Sequence, residues 1–524
     1  MPAEDNTTDN AAWYFLHRHI AEGRGERRAF ADPHRARTYA ALAREAERFA
    51  AALAAAGVGR ERRIALVMLD TVDFPAAFWG ALGAGVVPVP VNTLLTPEQT
   101  AYILADSRAE LAVVSAPLLE RLRPELDRLP ALRRVVVAAI DGGAPAISGP
   151  KEIAWDEFLA AAGGTAPVVD ASADEVAFWL YSSGSTGMPK GARHLHASLR
   201  ATADTYAARV LGIAPDDVMF SAAKLFFAYG LGNGMTFPMS VGAATVLLPD
   251  RPTPEAVLAT MARERPTIFG GVPTLYAGLV AQAGLGRGAG SDRLRRCISA
   301  GEALPEPIAR RWAEIVGVEI LDGLGSTEML HIFLSNAPGD IGYGTSGRAV
   351  PGYELRVVDA EGRDVPDGTA GELIVRGPSA AEGYWNQRAK SQTTFRGEWT
   401  WTGDTYVREA DGRYRYQGRA DDMMKVGGIW VSPFEVEAAL LAHQAVQEAA
   451  VVGQADTDGL TKPKAFLVLR DPATDADRLR EELKALVQAK IGVWKYPRWI
   501  EIAESLPKTA TGKIQRYKLR AGSD

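Results

Sequence analysis

The sequence predicts an α/β fold: a large N-terminal domain of α/β sheets that includes a β-rich subdomain, and a small, mobile α+β C-terminal domain. Up to about residue 380, helical patterns alternate with short β-branched runs, which is typical of parallel sheets covered on both faces. After Ile341, closely spaced glycines punctuate short strands. A charged passage around Asp421 then precedes a last segment with its own helical and strand patterns.

The N-terminal pattern begins with a helix and continues with regularly spaced strands. Thr38 is a suitable N-cap for a helix that Gly57 would end. The apolar face of that helix comprises Leu42, Ala46, Phe49, Ala50 and Leu53. A second helix is predicted at 76–82, and strands at 63–69, 86–91, 111–115, 134–139, 177–181, 244–248, 267–270 and 297–300.

The later pattern predicts two further units. Strands at 353–359 and 372–376 belong to a β-rich subdomain at about 342–420, since glycine spacing of this kind marks turns. We place the domain boundary at Asp421, because a hinge needs a short, exposed, polar connection. The domains are then 1–420 and 421–524, the second with strands at 449–452 and 464–469 and a helix at 477–490.

Composition and charge limit the partners and the covalent links that the chain can have. The 524 residues are 47% hydrophobic and 23% charged, and 58 Lys+Arg against 64 Asp+Glu give a net charge of −6. That charge predicts no general attraction to nucleic acid or to an anionic membrane. The single cysteine, Cys297, permits no intrachain disulfide and is expected to be buried and structural.

Two long uncharged stretches, 74–97 and 225–249, are interrupted by prolines or glycines. We interpret both as buried helix, turn and strand, because a membrane span is rarely so broken. The polar, acidic first ten residues lack the pattern of a secretion signal, so we expect a cytoplasmic protein.

A glycine-rich loop follows the apolar strand 177–181. Backbone N–H groups and hydroxyls in such a loop can surround phosphate oxygens. A generic loop of this kind is more often flexible surface, but the strand leading in and the Pro189-Lys190-Gly191 ending favour a binding site. It is not a Walker A motif, because Gly191 follows Lys190. The candidate phosphate ligands are Ser182, Ser183, Gly184, Ser185, Thr186, Gly187 and Lys190.

The loop resembles the signature of the adenylate-forming superfamily, which comprises acyl- and aryl-CoA synthetases, luciferases and peptide-synthetase adenylation domains. Further motifs carry this resemblance along nearly the whole chain, at 301–303, 322–328, 401–404, 418–425 and 507–513. Within the superfamily, segments 222–233 and 327–336 resemble benzoate-CoA ligases and close aryl-CoA ligases.

The resemblance implies ATP-dependent ligation of an aromatic acid, benzoate or a substituted benzoate, to coenzyme A. An aryl-AMP intermediate would form with release of pyrophosphate, and AMP would leave in the second step. ATP, Mg²⁺ and CoA are the implied co-substrates and cofactor, with no nucleic-acid or membrane partner, and the protein would be a monomer or homodimer. The alternatives are a stand-alone aryl-acid adenylation enzyme that loads a carrier protein, and a non-catalytic nucleotide sensor.

By the same resemblance, several residues would bind the nucleotide. Thr327 would contact the α-phosphate and Glu328 would bind Mg²⁺, although a lone Thr-Glu pair is more often a helix N-terminus. Gly323 and Gly325 suggest a close backbone approach and favour the site. The adenine would lie against Gly301, Glu302, Ala303, Asp322 and Gly323, and the ribose against Asp404, with Arg419 reaching the ribose or phosphate.

The C-terminal motifs imply the remaining chemistry. Lys513 would bridge the carboxylate and the α-phosphate as the catalytic cation, although by default a lysine near a C-terminus is an exposed tail residue. Rotation about Asp421 would then bring in the CoA-binding loop, with Lys425, Gly427, Gly428 and Ile429. A lysine acetyltransferase acting on Lys513 would remove its charge and stop adenylation.

The acid pocket is implied in two apolar segments. Phe227, Ala228 and Tyr229 would form one wall, His331 and Ile332 the other, and Gly325 and Ser326 the floor. Core packing is the competing interpretation for the first segment, and a hydrogen-bonded structural role for His331. The pairs His17/His19 and His194/His196 would diverge on helices, so we expect no metal site there.

Overall fold

The computed structural model describes residues 8–182, 188–419, 422–426, 429–457, 460–492, 495–508 and 514–521. Helices and strands alternate from the start. Up to the end of β8 the elements are a π-helical turn (Trp13–His17), α1 (Arg18–Ala21), β1 (Arg28–Ala31), β2 (Ala36–Thr38), α2 (Tyr39–Ala55), β3 (Arg63–Val67), α3 (Asp73–Gly83), β4 (Val87–Pro90), α4 (Pro97–Ser107), β5 (Leu111–Ser115), α5 (Ala116–Asp127), β6 (Arg134–Ala138), β7 (Glu152–Ala154), α6 (Trp155–Ala160) and β8 (Val176–Ser182).

The next part of the chain adds most of the largest sheet. Its elements are β9 (Lys190–Leu195), α7 (His196–Thr202), a π-helix (Ala203–Leu211), β10 (Val218–Ser221), α8 (Ala228–Leu231), a π-helical turn (Gly232–Thr236), α9 (Phe237–Val241), β11 (Ala244–Val246), α10 (Pro254–Glu264), β12 (Ile268–Gly271), α11 (Pro273–Val280), a 3₁₀ turn (Arg287–Gly290), β13 (Arg296–Ser299), α12 (Glu306–Val316), β14 (Ile320–Gly325), β15 (Ile332–Ser335) and β16 (Arg348–Ala349).

The last part is first β-rich and then mixed. Its elements are β17 (Glu354–Val358), β18 (Ala370–Arg376), β19 (Gly383–Tyr384), α13 (Arg388–Thr394), β20 (Phe395–Arg396), β21 (Trp399–Arg408), β22 (Tyr414–Arg419), β23 (Met424–Val426), β24 (Ile429–Val431), α14 (Pro433–Leu441), β25 (Val446–Ala455), β26 (Thr461–Leu469), α15 (Ala476–Ile491), β27 (Trp499–Ile502) and α16 (Arg516–Ala521).

The N-terminal predictions are confirmed to within a few residues. Thr38 caps α2, and its Oγ1 accepts a hydrogen bond from the Ala41 amide at 3.2 Å. Gly57 follows the helix with φ of +74°, a conformation that favours glycine. The sheet β4-β3-β5-β6-β7 is parallel throughout, as continuous apolar strands predict.

The largest sheet has the order β16-β15-β14-β13-β12-β10-β11-β1-β2. Its central strands are parallel, so Ser221, Gly271 and Ser299 end neighbouring strands at one edge. Strand β14 pairs with β13 in parallel up to Asp322 and then with β15 in the antiparallel direction from Gly323. Ligands of α/β proteins bind outside the carboxyl ends of such strands, where the strand arrangement changes.

The two long uncharged stretches are buried inside this fold. The first contains α3, whose side chains are all buried, and β4. The second contains α8, the π-helical turn, α9 and β11. Within the described residues, no helix combines the length and the apolar character that crossing a bilayer requires.

The C-terminal elements have a hydrophobic core of their own. Strands β25, β26 and β27 form one sheet, and Val436, Val451, Leu467 and Leu483 are fully buried around it. A separate core of this kind is what an independent domain requires. Asp421 lies outside the described residues, so its role as the hinge stays a prediction.

Candidate active site

The glycine-rich loop is attached to two paired strands. Ser182 ends β8 and lies opposite Lys190, which begins β9. The connecting residues 183–187, and therefore the candidates Ser183, Gly184, Ser185, Thr186 and Gly187, lie outside the described residues. The Ser182 hydroxyl is buried without a hydrogen-bond partner in the described part of the chain. As paired residues, Ser182 and Lys190 therefore place a hydroxyl and a cation next to each other at the base of the loop.

Lys190 belongs to a cluster with Glu328 and Tyr384. Its Nζ lies 3.2 Å from Glu328 Oε1 and 2.6 Å from the Tyr384 hydroxyl, which donates to Glu328 Oε1 at 2.7 Å. Burial acts to raise the pKa of Glu328, but the Lys190 charge and the Tyr384 hydrogen bond outweigh it and lower the pKa overall. Glu328 is therefore held as a carboxylate.

Tyr384 was missed by the sequence reasoning. It lies on β19, which pairs with β9 so that Tyr384 faces Ala192. The two strands are far apart in the chain, and no motif or spacing in the sequence connects them. Burial raises the pKa of the Tyr384 phenol, and the Glu328 charge adds to the rise. The phenol stays protonated and keeps donating to Glu328.

Thr327 and Glu328 lie in the turn that joins β14 to β15. The Ser326 hydroxyl accepts a hydrogen bond from the Met329 amide at 3.2 Å, and the Thr327 carbonyl accepts one from the Leu330 amide at 3.2 Å. At Gly325 the close approach is to the protein's own backbone, since a Cβ there would lie 2.7 Å from the His331 carbonyl oxygen. Glycine therefore permits the tight pairing that presents the turn. An approach of Gly325 to a ligand stays a prediction.

The candidate adenine residues lie beside the ends of β13 and β14. Gly301 follows β13 with φ of +98°, and Glu302 and Ala303 precede α12. Asp322 is buried, and its Oδ2 accepts a hydrogen bond from the Leu304 amide at 3.4 Å. Its Oδ1 has no partner within the described ranges. Burial raises the pKa of Asp322 to about 8, so the carboxyl carries a proton at neutral pH.

Asp404 and Arg419 are direct cross-strand neighbours on β21 and β22. Arg419 Nη1 donates to Asp404 Oδ1 at 3.0 Å and to the Thr402 carbonyl at 2.9 Å. Gly403 has φ of +71°, and a Cβ there would lie 2.7 Å from Arg419 Nη2. The structure thus brings together the carboxylate and guanidinium that the sequence placed fifteen residues apart.

The pair also belongs to the same region as the Lys190 cluster. The Arg419 charge is close enough to Tyr384 to oppose the rise in the phenol pKa, of which burial is the main cause. Arg419, the partner of the ribose candidate Asp404, therefore lies near the cluster of Lys190, Glu328 and Tyr384. Phosphate and ribose candidates from distant parts of the chain are thus brought close together around Tyr384.

Two of the candidate pocket residues, Tyr229 and His331, contact each other. The ring centroids of Tyr229 and His331 are 5.6 Å apart, and His331 Nε2 lies 3.2 Å from the Tyr229 carbonyl oxygen. Ile332 begins β15 and pairs with Gly325. Burial lowers the pKa of His331 to about 3, so the imidazole is neutral. The contact of Nε2 with the backbone supports the hydrogen-bonded structural role of His331, and Nδ1 has no partner among the described residues. The role of His331 as a pocket wall stays a prediction.

Three candidate pocket residues fit less closely. The ring of Phe227 packs edge-to-face on Phe226, with centroids 4.5 Å apart, and Ala228 begins α8 directly after it. The Ser326 hydroxyl is used within the turn. These residues border the cluster around Tyr229 and His331, and their contact with an acid stays a prediction.

The C-terminal candidates lie largely outside the described residues, including Asp421, Gly427, Gly428 and Lys513. The backbones of Lys425 and Ile429 belong to the hairpin β23–β24. Lys508 and Ile514, which flank the undescribed residues 509–513, form an antiparallel bridge. The role of Lys513 therefore stays a prediction.

The described residues contain no cluster of three or more His, Cys, Asp or Glu side chains able to hold a metal ion by themselves. The prediction that His194 and His196 lie on a helix is wrong, because His194 lies in β9 and only His196 begins a helix. Cys297 is buried as predicted, and burial raises the pKa of its thiol to about 12.

Known proteins match this chain over nearly its whole length. Residues 17–385 match the AMP-binding enzyme family, and residues 435–513 match the C-terminal domain of AMP-binding enzymes. A 4-hydroxybenzoate-CoA/benzoate-CoA ligase of Rhodopseudomonas palustris is 51% identical over 99% of this chain and 95% of its own length. A benzoate-CoA ligase of Thauera aromatica is 51% identical over 98% and 96%. The crystal structure of a benzoate CoA ligase from Burkholderia xenovorans is similar with a TM-score of 0.89, at 49% identity, over 98% of this chain and 99% of that one.

Proposed function

The chain belongs to the family of AMP-binding enzymes, and on that premise we propose that it ligates benzoate or a substituted benzoate to coenzyme A. The reaction passes through an aryl-AMP intermediate and releases pyrophosphate and then AMP. One observation carries the proposal: the turn between β14 and β15 holds Glu328 against Lys190 and Tyr384, and three residues later it holds His331 against the ring of Tyr229.

In the first step a carboxylate oxygen of the acid attacks the α-phosphorus of ATP. The bond from that phosphorus to the oxygen of the β-phosphate breaks, and pyrophosphate leaves. A carboxylate is a weak nucleophile toward an anionic triphosphate, so the enzyme has to position both groups and neutralise charge. Lys190, the N–H groups of the glycine-rich loop and the Thr327 hydroxyl supply that stabilisation in this proposal.

Glu328 fits the role of a magnesium ligand. Mg²⁺ is usually bound by one or two carboxylates together with substrate phosphates and water, and Glu328 is a carboxylate within the phosphate region. When bound, Mg²⁺ supplies charge neutralisation at the phosphate oxygens. Tyr384 orients the Glu328 carboxylate by its hydrogen bond, and Lys190 balances its charge.

The aromatic pocket selects the acid. The Tyr229 hydroxyl lies 3.0 and 3.1 Å from the carbonyl oxygens of Gly271 and Ile298, which share its one proton as acceptors. His331 is neutral and packed between Tyr229, Tyr206 and Phe237. Rigid aromatic walls suit a flat ring and leave little room for a long acyl chain.

The second step needs the thiol of CoA to reach the acyl carbon, from which AMP leaves. We propose that Lys513 assists adenylation and that rotation about Asp421 then brings in the loop with Lys425, Gly427, Gly428 and Ile429. Acetylation of Lys513 by a lysine acetyltransferase would remove its charge and stop adenylation. Quantitative acetylation that leaves adenylation unchanged contradicts this regulation.

The test is a panel of acids incubated with the purified protein, ATP, Mg²⁺ and CoA, with AMP formation as the readout. We expect AMP to accumulate with benzoates and only when CoA is present, while aliphatic and fatty acids react poorly. Pyrophosphate exchange that depends on the acid but AMP release that ignores CoA supports the carrier-protein alternative. No turnover of any aromatic acid contradicts the proposal.

A further inference from the structure

Ser379 has a fully buried hydroxyl to which the proposed reaction assigns no role. The residue lies between β18 and β19 and has 0% exposure. Its hydroxyl donates a hydrogen bond to the Met329 carbonyl at 2.7 Å. Met329 follows Glu328 in the turn between β14 and β15. The hydroxyl therefore bonds to the backbone of that turn, one residue from the proposed magnesium ligand.

The short segment between β18 and β19 contacts the turn at consecutive residues. The Ala381 amide donates to the Glu328 carbonyl at 2.8 Å, next to the bond from Ser379 to the Met329 carbonyl. Tyr384, in the strand that follows, donates to the Glu328 carboxylate. The position of Glu328 thus depends on this segment through both its backbone and its side chain. The bond from Ser379 is made by a side chain, so a single substitution removes it.

The directions of the hydrogen bonds at Ser379 follow from the carbonyl that accepts from it. A carbonyl can only accept, so the Ser379 hydroxyl gives its one proton to Met329. The Tyr353 hydroxyl lies 2.7 Å from Ser379 Oγ and donates to it. Thr205 is a second neighbour of the phenol, and its own hydroxyl donates to the Ala201 carbonyl at 2.6 Å. Tyr353 therefore orients the Ser379 hydroxyl toward the turn.

Packing restricts the Tyr353 ring. The residue is 6% exposed, and a Cβ built on Gly377 would lie 2.1 Å from its Cδ1 atom. Any other side chain at Gly377 would therefore displace the ring. Tyr353 precedes β17 and Gly377 follows β18, so both belong to the β-rich part of the chain. The two hydrogen bonds thus connect that part of the chain to a turn of the largest sheet.

The turn needs such support because its backbone conformation is unfavourable. Leu330 has φ of +65°, which persists only where the surrounding structure enforces it. The Met329 carbonyl directly before it accepts from the His331 amide at 2.7 Å as well as from Ser379. Ser379 therefore binds the turn next to its least favourable residue.

We propose that Ser379, oriented by Tyr353, is a positioning residue for adenylation, because it holds the turn in which Thr327 and Glu328 lie. This inference rests on the proposed function. Ser379 acts through the backbone of the turn and adds no charge to the site. Its effect on rate follows from geometry, since a misplacement of about 1 Å at a reacting group can cost about 100-fold.

The first experiment measures the order of the turn in the protein without substrates. Hydrogen–deuterium exchange, read by mass spectrometry, follows the Leu330 and His331 amides, which donate to carbonyls of the turn. Ser379→Ala should raise their exchange rate about 10-fold and Tyr353→Phe about 3-fold, because the turn opens more easily without these bonds. Wild-type exchange rates in both variants overturn the proposal.

Matched controls remove the same groups elsewhere. Ser291 is 1% exposed, and its hydroxyl donates to the Pro266 carbonyl at 2.7 Å, the same distance as at Ser379. Tyr39 is fully buried, and its hydroxyl donates to the Ala243 carbonyl at 2.8 Å. Ser291→Ala and Tyr39→Phe should leave exchange in the turn unchanged. Faster exchange in the turn of these controls shows a general loss of stability and overturns the specific role of Ser379.

The second experiment separates the two half-reactions. Ser379→Ala should lower kcat of acid-dependent pyrophosphate exchange about 10-fold, but thioester formation from supplied aryl-AMP by about 2-fold at most. The second step no longer involves the β- and γ-phosphates, and a merely structural defect would lower both steps alike. Equal losses in both steps therefore overturn the proposal.

The double variant tests whether Tyr353 acts through Ser379. Ser379→Ala combined with Tyr353→Phe should exchange pyrophosphate no more slowly than Ser379→Ala alone, because residues that act in series have non-additive effects. Losses that multiply overturn the orienting role of Tyr353.

The two proposals fail in different ways. If the wild-type protein shows no pyrophosphate exchange with any aromatic acid, the proposed function is wrong. If the wild-type protein is active and Ser379→Ala keeps both its exchange of pyrophosphate and its protected amides, the positioning role alone is wrong.

Discussion

Replacing Asp322 with Asn should change how the stability of the protein depends on pH. Burial raises the pKa of this carboxyl to about 8 in the folded state, against an ordinary value of 3.8. Between these values the folded protein holds a proton that the unfolded chain has released. The stabilisation associated with that proton is complete at low pH and is lost as pH rises, so this group lowers the free energy of unfolding with increasing pH.

The size of the effect follows from the shift. Each pH unit between the two pKa values is equivalent to about 1.36 kcal/mol for one proton. From pH 5 to pH 7 the wild-type protein should therefore lose about 2 to 3 kcal/mol of stability through Asp322. Asp322→Asn lacks this titration, because the amide resembles the protonated carboxyl in shape. Other groups titrate alike in both proteins, so their contributions cancel in the difference.

The assay is urea unfolding of wild type and Asp322→Asn at pH 5, 6 and 7, followed by fluorescence and far-UV circular dichroism. We expect the variant to gain about 2 to 3 kcal/mol relative to wild type between pH 5 and pH 7. Asp156→Asn, which removes an exposed carboxylate, should run parallel to wild type. Parallel curves for Asp322→Asn would refute the conclusion that the carboxyl is protonated in the folded protein.

Three further predictions concern catalysis. Tyr384→Phe removes two charge-assisted hydrogen bonds and should lower the rate of acid-dependent pyrophosphate exchange about 10- to 100-fold. The control Tyr517→Phe changes an exposed tyrosine and should keep the wild-type rate. Equal exchange rates in the two variants contradict the role of Tyr384. Lys513→Ala should nearly abolish adenylate formation but largely spare thioester formation from supplied aryl-AMP, and equal loss of both steps counts against its role. Asp404→Ala leaves Arg419 without this carboxylate and should raise KM for ATP about tenfold more than KM for the acid, a split that steady-state kinetics reveals.

The local elements were predictable because their causes are local. The Thr38 cap, the apolar face of α2 and the glycine after it stand within twenty residues of one another. The continuous apolar run at 111–115 predicted a parallel strand, and the structure has one at the same residues. The pairing of Asp404 with Arg419 could also be anticipated, since the two strands of a hairpin are close in sequence and lie side by side.

Contacts between distant segments were not predictable from one sequence. Tyr384 reaches Lys190 because β19 pairs with β9, and the residues of neither strand predict that pairing. The raised pKa of Asp322 depends on burial by several parts of the fold, which a motif cannot show.

In the proposed site, the turn between β14 and β15 would link binding of the nucleotide to the choice of the acid. Leu330 adopts φ of +65°, an uncommon conformation for a branched residue, and is buried in the core at the same time. Such a backbone persists only where its surroundings enforce it. The same packing therefore fixes Glu328 on one side and His331 on the other, three residues apart. Because one rigid segment sets both positions, we expect an acid that binds against His331 to place its carboxylate at a fixed distance from the proposed phosphate site, so that specificity and reactivity depend on the same turn.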